Sequence, residues 1–236
     1  MDRSTRDLPT GPSSLNRPGW PEMLAGAAAY GGSLLLVALL LPLVTDPALH
    51  GNVGLLVSGA MGLVALSVAV LIRIRGLQSF GFRRARPRHL FIGALLGLVA
   101  YVLGAITAII YMIATGGVQN VQESYQAAAA GGWWSLALAL FAGAVITPLG
   151  EEGFFRGVLA NALLARYGPW VGVLVSAAIF AVAHGINPIM PVAFVVGVLT
   201  ALLFRSSRSI WPGVVLHGVN NATALLIPLI IGFVTT

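Results

Sequence analysis

The sequence contains no cysteine and no lysine, and it has little charge of either sign. Without cysteine, a disulfide, an iron–sulfur cluster and a thiolate zinc site are all excluded, so any nucleophile or metal ligand must be another residue type. Charged residues make up 8% of the 236 residues, 58% are hydrophobic, and the mean hydropathy is +0.92. This composition lies far outside that of a soluble domain and indicates a polytopic membrane protein.

The positive charge is carried by arginine alone. In a soluble protein the net charge of +6 would suggest nucleic-acid binding, but here the arginines cluster between apolar runs. The densest cluster lies in residues 73–89. Because basic residues concentrate in cytoplasmic loops, we expect an integral protein of the bacterial cytoplasmic membrane with a cytoplasmic N-terminus and no nucleic-acid partner. The lipid bilayer, with its anionic headgroups, is the partner that this cluster would contact.

Seven apolar runs follow a polar start. Residues 1–21 have too little apolar surface to fold and predict a disordered cytoplasmic tail. Residues 22–236 predict a single transmembrane helical domain, and its apolar runs are residues 23–44, 53–72, 90–114, 133–167, 171–186, 189–204 and 210–234. We therefore expect an all-α polytopic transmembrane helical bundle of about seven spans, within a range of about six to eight.

The fourth run is unusual in its length. It extends over about 35 residues, or roughly 50 Å as a helix, which exceeds the thickness of a bilayer core. We expect it to kink or break at Pro148. The polar connection before it, residues 115–132, contains Glu123 and no arginine, which favours the outer side of the membrane. His50 and His89 are expected in loops and have no assigned function.

The fourth run also contains a cluster of charged side chains. A charge at the bilayer centre costs roughly 2.5 to 3.5 kcal/mol on insertion scales, so Glu151, Glu152 and Arg156 indicate a functional site. Glu152 and Arg156 are four residues apart and are expected to pair on one helix face. Glu151 lies about 100° away around the helix and is left free for chemistry.

Two histidines and an asparagine in later runs complete the set. Glu151 precedes the turn at 167–168 by as many residues as His184 follows it, so an antiparallel hairpin places both at one depth. His217 reaches the same region if the helices tilt by ordinary amounts. A carboxylate and imidazoles shielded from bulk water are the parts of a water-activating site. His217 and Asn221, four residues apart, would present two donors to an oxyanion.

Three short motifs occur in order on successive predicted helices. They are Glu151-Glu152-x-x-x-Arg156, Phe180-x-x-x-His184 and His217-x-x-x-Asn221. This arrangement resembles the signature of the CPBP family, the CAAX prenyl protease and bacteriocin-processing membrane peptidases also called the Abi or Rce1-like family. The resemblance covers roughly residues 133–230, whereas the first 130 residues are similar only in having apolar spans and a basic loop.

The resemblance implies an intramembrane endopeptidase with its peptidase core in residues 133–230, acting on a membrane-embedded peptide or protein. It implies that Glu151 and His184 activate the hydrolytic water and that His217 and Asn221 stabilise the oxyanion. It gives a supporting role to Glu152, Arg156 and Phe180.

Other interpretations of these residues stay open. Glu151, His184 and His217 would also suit zinc with an open water position, although there is no His-Glu-x-x-His motif and we expect no required cofactor. The charged cluster could serve helix packing alone in a catalytically silent scaffold or bacteriocin-immunity protein. A proton-coupled transporter could use the same side chains as a relay, but no sequence repeat indicates the two halves of such a fold.

Overall fold

A computed structural model describes residues 17–117 and 120–235, which form a bundle of eight helices. Most of the predicted tail, residues 1–16, lies outside the described residues. The helices are α1 Trp20–Leu40, α2 Pro47–Ile72, α3 Pro87–Thr115, α4 Glu123–Ala130, α5 Trp133–Tyr167, α6 Pro169–Val182, α7 Ile189–Ser207 and α8 Trp211–Thr235.

The predicted fold class is confirmed, since the described part of the chain is helical and contains no strand. Among the described residues, six helices are long and apolar enough to cross a membrane, namely α1, α2, α3, α5, α7 and α8. The apolar helix α6, at 14 residues, is shorter than a full span. It ends at Val182, four residues before the end of the predicted run, because the chain turns through Gly185 with φ +82°.

Helices extend into three of the expected connections. The predicted polar connection 115–132 contains α4, whose four consecutive alanines, residues 127–130, have the highest helix propensity. Helix α2 begins at Pro47 because Asp46 caps it, with Oδ1 accepting a 2.8 Å hydrogen bond from the amide of Leu49. His50 and His89 therefore lie in the first turns of α2 and α3 rather than in loops.

Helix α5 continues through Pro148, so the expected break does not occur there. Two π-helical segments, Ala142–Ile146 and Phe155–Ala160, instead lie on either side of the segment that carries the two glutamates. Such irregularities shift the register of the helix and are frequent at functional sites. The α-helical turns Thr147–Phe154 between them are buried except for Leu149, which places both carboxylates in the interior of the bundle.

Helices α2 and α5 approach each other so closely that only glycine fits between them. A Cβ on Gly150 would overlap the carbonyl oxygen of Gly59, and a Cβ on Gly62 would overlap the backbone of Gly150. Small residues at a helix crossing allow this backbone contact in membrane proteins. Ser58 is adjacent to Gly59, and Glu151 is adjacent to Gly150. The backbone contact therefore brings the side chains of Ser58 and Glu151 together.

Helices α3 and α8 form another close pair. A Cβ on Gly97 of α3 would lie 2.6 Å from the carbonyl oxygen of Leu216, the residue before His217. Helix α3 also packs against α7, and α7 packs against α6. These contacts surround the buried glutamates with helices from both halves of the chain.

An ion pair joins the start of α1 to the end of α2. Arg73 Nε lies 2.9 Å from Oε1 of Glu22, whose side chain is fully buried. Glu22 Oε2 also accepts a 2.8 Å hydrogen bond from the amide of Gly19, which closes the start of α1. Arg73, the first arginine of the basic cluster, therefore contributes to packing as well as to charge.

Candidate active site

Glu151 lies at the centre of the bundle with its side chain 1% exposed. Its Oε1 accepts a 2.6 Å hydrogen bond from the hydroxyl of Ser58 on α2. Its Oε2 has no hydrogen-bond partner among the described residues. The serine therefore fixes one carboxylate oxygen and leaves the other to face the two histidines.

The two histidine rings meet the free oxygen of Glu151 from different helices. Oε2 lies 3.8 Å from Nε2 of His184 and 3.9 Å from Nε2 of His217. The expected convergence of these three side chains is therefore present in the structure. All three face one another within the buried centre of the bundle, although His184 remains 24% exposed.

The orientation of His184 follows from the end of α6. Its Nδ1 lies 2.8 Å from the carbonyl oxygen of Phe180, one turn earlier. A carbonyl can only accept, so Nδ1 carries the proton and donates it. In the neutral ring Nε2 is then an acceptor, and it is the atom that faces Glu151.

His217 is oriented by a carboxylate. Its Nδ1 donates a 3.2 Å hydrogen bond to Oε1 of Glu152, and Arg156 Nε lies 3.2 Å from Oε2 of the same group. The predicted Glu152–Arg156 pair is therefore present, and Glu152 contacts His217 as well. Two carboxylates and one guanidinium leave one negative charge in the cluster, and one proton shared by Glu151 and His217 would neutralise it.

Phe180 packs at the junction of these groups. The guanidinium of Arg156 lies over its ring, 4.3 Å from the centroid, and both Nη atoms are buried with no hydrogen-bond partner among the described residues. The ring also contacts those of His184 and His217 edge-on at centroid distances of 4.7 and 5.9 Å. Phe180 thus supports the positions of three polar side chains through aromatic contacts.

Asn221 is held by its neighbours on α8 and α5. Its Nδ2 donates a 2.9 Å hydrogen bond to the carbonyl oxygen of Gly143, in the first π-helical segment of α5. Its Oδ1 accepts a 3.1 Å hydrogen bond from Nδ2 of Asn220. The side chain has two amide protons, so one remains for a ligand in the cavity that Asn221 lines.

A cavity of about 300 Å³ joins these side chains. Its floor is formed by Glu151, His184, His217 and Asn221, and its walls are mainly aliphatic side chains of α2, α3, α7 and α8. Tyr125 of α4 also lines it. Burial raises the pKa of the Tyr125 phenol and the charge of Glu151 raises it further, so this hydroxyl stays protonated and can donate.

The same side chains do not form a zinc site as they are placed. Tetrahedral zinc with bonds of about 2.0 to 2.1 Å holds its ligand atoms about 3.3 Å apart, which is closer than the separations of 3.8 and 3.9 Å around Glu151 Oε2. Within residues 17–117 and 120–235, no group of three His, Asp or Glu side chains is arranged to hold a metal ion.

Sequence reasoning missed several polar residues that line the cavity, among them Ser58, Tyr125 and Asn220. Ser58 and Tyr125 lie far from Glu151 along the chain, and no spacing connects them to it. Asn220 could have been found as the neighbour of Asn221. Its side chain is buried and hydrogen-bonded to Asn221.

The fold and the site together define a helical membrane protein with a carboxylate–imidazole cluster that faces a cavity inside the bundle. Residues 133–223 match the family model described as type II CAAX prenyl endopeptidase Rce1-like, which confirms the family resemblance stated from the three motifs. The matched segment contains α5 to α7 and the first half of α8, with every charged or imidazole side chain of the site. Neither the curated proteins nor the solved structures gave a match to this chain.

Proposed function

We propose that the protein is an intramembrane endopeptidase that hydrolyses a peptide bond of a membrane-anchored or hydrophobic peptide by glutamate-activated water. The observation that carries the proposal is the convergence of Glu151 Oε2 with Nε2 of His184 and Nε2 of His217. With His184 neutral, its Nε2 and Oε2 of Glu151 are both hydrogen-bond acceptors, and one water molecule can donate to the two at once. The family match to a type II CAAX prenyl endopeptidase supports the same reaction class.

In the first step, water donates hydrogen bonds to Glu151 and His184. Glu151 takes a proton as the water oxygen attacks the carbonyl carbon of the substrate, giving a tetrahedral intermediate with one negative oxygen. The hydrogen bond from Ser58 keeps the carboxylate in position for this transfer. Because Glu151 is buried, bulk water is largely excluded from the reacting groups.

The negative oxygen is stabilised by His217 and Asn221. His217 acts here as the imidazolium, with Nδ1 donating to the carboxylate of Glu152 and Nε2 donating to the negative oxygen, and the second amide proton of Asn221 provides another donor. Glu151 then returns its proton to the leaving nitrogen as the C–N bond breaks. The products are a carboxylic acid and an amine.

Cleavage of a reporter library by purified protein tests the proposal. Membrane-anchored peptides are incubated with wild type, His184→Ala and the matched control His50→Ala, and the fragments are identified by mass spectrometry. His50 contacts the carbonyl of Val44 near the start of α2 and lies outside the cavity lining. We expect cleavage by wild type and His50→Ala, and a loss of at least about 100-fold in His184→Ala.

A scaffold or immunity protein would give a different result. Fragments produced equally by all three proteins would come from a contaminating protease or another site, and they would contradict the role assigned to this cluster. If no member of the library is cut by folded wild-type protein, the silent scaffold becomes the better account.

A further inference from the structure

The two ends of the bundle differ in basic charge. At the arginine-rich end, the connections and helix ends carry Arg17, Arg73, Arg75, Arg83, Arg84, Arg86, Arg88, Arg166, Arg205 and Arg208. At the other end, which we call the arginine-poor end, residues 41–46, 120–132 and 183–188 contain neither arginine nor lysine. Basic residues favour the cytoplasmic side of a membrane, so this asymmetry indicates the orientation of the bundle.

Contacts at the arginine-rich end show that its connections lie together. The hydroxyl of Ser209, between α7 and α8, donates a 2.7 Å hydrogen bond to the carbonyl oxygen of Arg83. Asn161, near the end of α5, donates from Nδ2 to the carbonyl oxygen of Ser79 at 2.8 Å. The arginines of these connections are thus gathered on one surface.

The arginine-poor end is closed by α4. The hydroxyl of Ser135, at the start of α5, donates a 2.6 Å hydrogen bond to the carbonyl oxygen of Ala128. Nδ2 of Asn52, near the start of α2, donates to the same hydroxyl at 2.8 Å. Helix α4 is therefore fixed against the starts of two membrane-spanning helices.

The cavity extends from the glutamates toward the arginine-poor end. On α3 and α7 it is lined by Ala105 and Val192, which lie in the half of each helix nearer that end. Next to α4 it is lined by Gln122, Tyr125 and Gln126. None of its lining residues belongs to the connections that carry the arginines.

We propose that this cavity receives its substrate from the extracytoplasmic face of the membrane, and that α4 forms the wall that contacts the peptide. This inference rests on the proposed peptidase function and specifies its substrate class. The substrate is a membrane-anchored peptide chain whose scissile bond lies near the extracytoplasmic surface. Aliphatic walls suit apolar side chains beside the bond, and the amides of Gln122 and Gln126 can hydrogen-bond an extended backbone.

The absence of cysteine allows a direct test of orientation that does not depend on proteolysis. Glu123→Cys places one thiol on the exposed surface of α4, and Gln78→Cys places one on the exposed arginine-rich connection as the matched control. Both variants are labelled in spheroplasts with a membrane-impermeant maleimide, before and after permeabilisation. We expect Glu123→Cys to react before permeabilisation and Gln78→Cys only after it. The reverse pattern, or equal labelling of both in intact spheroplasts, would overturn the inference.

A second arm tests contact between α4 and the substrate. Gln126→Cys is compared with Glu123→Cys, each before and after modification by a bulky maleimide, using a cleaved reporter. Modification at Gln126→Cys is expected to reduce cleavage at least about tenfold, whereas modification at Glu123→Cys, outside the cavity lining, leaves the rate unchanged. Equal effects of modification on both variants would contradict a substrate wall at α4.

Reporters with the scissile bond on either side of the membrane separate this inference from the proposed function. Cleavage that depends on Glu151 but occurs only at cytoplasmic bonds would retain the peptidase and overturn extracytoplasmic entry. Extracytoplasmic labelling of α4 without cleavage of any reporter would retain the orientation and contradict the peptidase.

Discussion

The hydroxyl of Ser58 donates a 2.6 Å hydrogen bond to Oε1 of Glu151. This bond joins α2, which lies outside the segment matched by the family model, to the centre of the candidate active site. It depends on the backbone contact between Gly59 and Gly150, the residues adjacent to this pair. The first half of the chain therefore contributes to the geometry of the site and does more than anchor it.

Replacing Ser58 tests its positioning role. We expect Ser58→Ala to lower kcat by about 10- to 100-fold, because a hydrogen bond to a charged group contributes about 1.5 to 3 kcal/mol. KM should change little, since Ser58 holds the proposed base and takes no part in peptide cleavage. The matched control is Ser67→Ala on the same helix, where the hydroxyl donates to the carbonyl of Leu63. Equal kcat values for the two variants would contradict this role.

The helix crossing at Gly150 gives a prediction about stability. Gly150→Ala places a methyl group against the Gly59 carbonyl and should destabilise the protein by about 1 to 3 kcal/mol or more, because the backbones must separate. Thermal unfolding in detergent measures this as a lower Tm. Gly32→Ala is the control, since a Cβ there has no neighbour within 4 Å and alanine favours the helix. A Tm for Gly150→Ala at or above that of wild type would show that the close contact is absent.

The effects of Glu152 and Arg156 on stability should depend on each other, because the two buried charges form an ion pair. Glu152→Gln removes the partner of a guanidinium that is 2% exposed, and breaking such a pair costs about 3 to 5 kcal/mol. Adding Arg156→Met should restore much of the Tm, since it removes the guanidinium that Glu152→Gln left without its partner, while activity stays low because His217 has lost its carboxylate partner. Strictly additive losses of stability in the double variant would contradict the coupling.

Chelation tests the role of metal. The distances around Glu151 Oε2 are wider than tetrahedral zinc requires, so we expect cleavage to continue at the wild-type rate with a strong zinc chelator present. The rate is measured on one reporter before chelation, after it, and after zinc is added back. Activity that is lost with the chelator and returns with zinc would assign the reaction to a metallopeptidase.

The sequence predicted the part of the site that follows from helical spacing. Glu152 and Arg156 pair because they are four residues apart, and His184 meets Glu151 because the two lie equally far from a tight turn. The hydrophobic runs likewise predicted the spanning helices, since length and hydropathy determine them.

Features that depend on tertiary contacts could not be predicted from helical spacing or hydropathy. Ser58 reaches Glu151 only through the glycine contact between α2 and α5, and Gly59 looks like any other small residue in an apolar run. The contact of Glu152 with His217 depends on the rotation of α8, which periodicity leaves undetermined. The π-helical segments around Thr147–Phe154 have no signal that distinguishes them from regular helix.

The most direct test of the central claim is the cleavage rate of Glu151→Gln on the best reporter, measured beside wild type and Glu123→Gln. The glutamine keeps the shape of the side chain and a hydrogen bond with Ser58 but cannot accept the proton from water. Glu123 is exposed on α4 and lies outside the cavity lining, so its variant controls for the loss of one carboxylate. We predict that Glu151→Gln loses at least about 100-fold in kcat with a Tm within a few degrees of wild type, while Glu123→Gln keeps full activity. A folded Glu151→Gln protein that cuts as fast as wild type would contradict the glutamate mechanism.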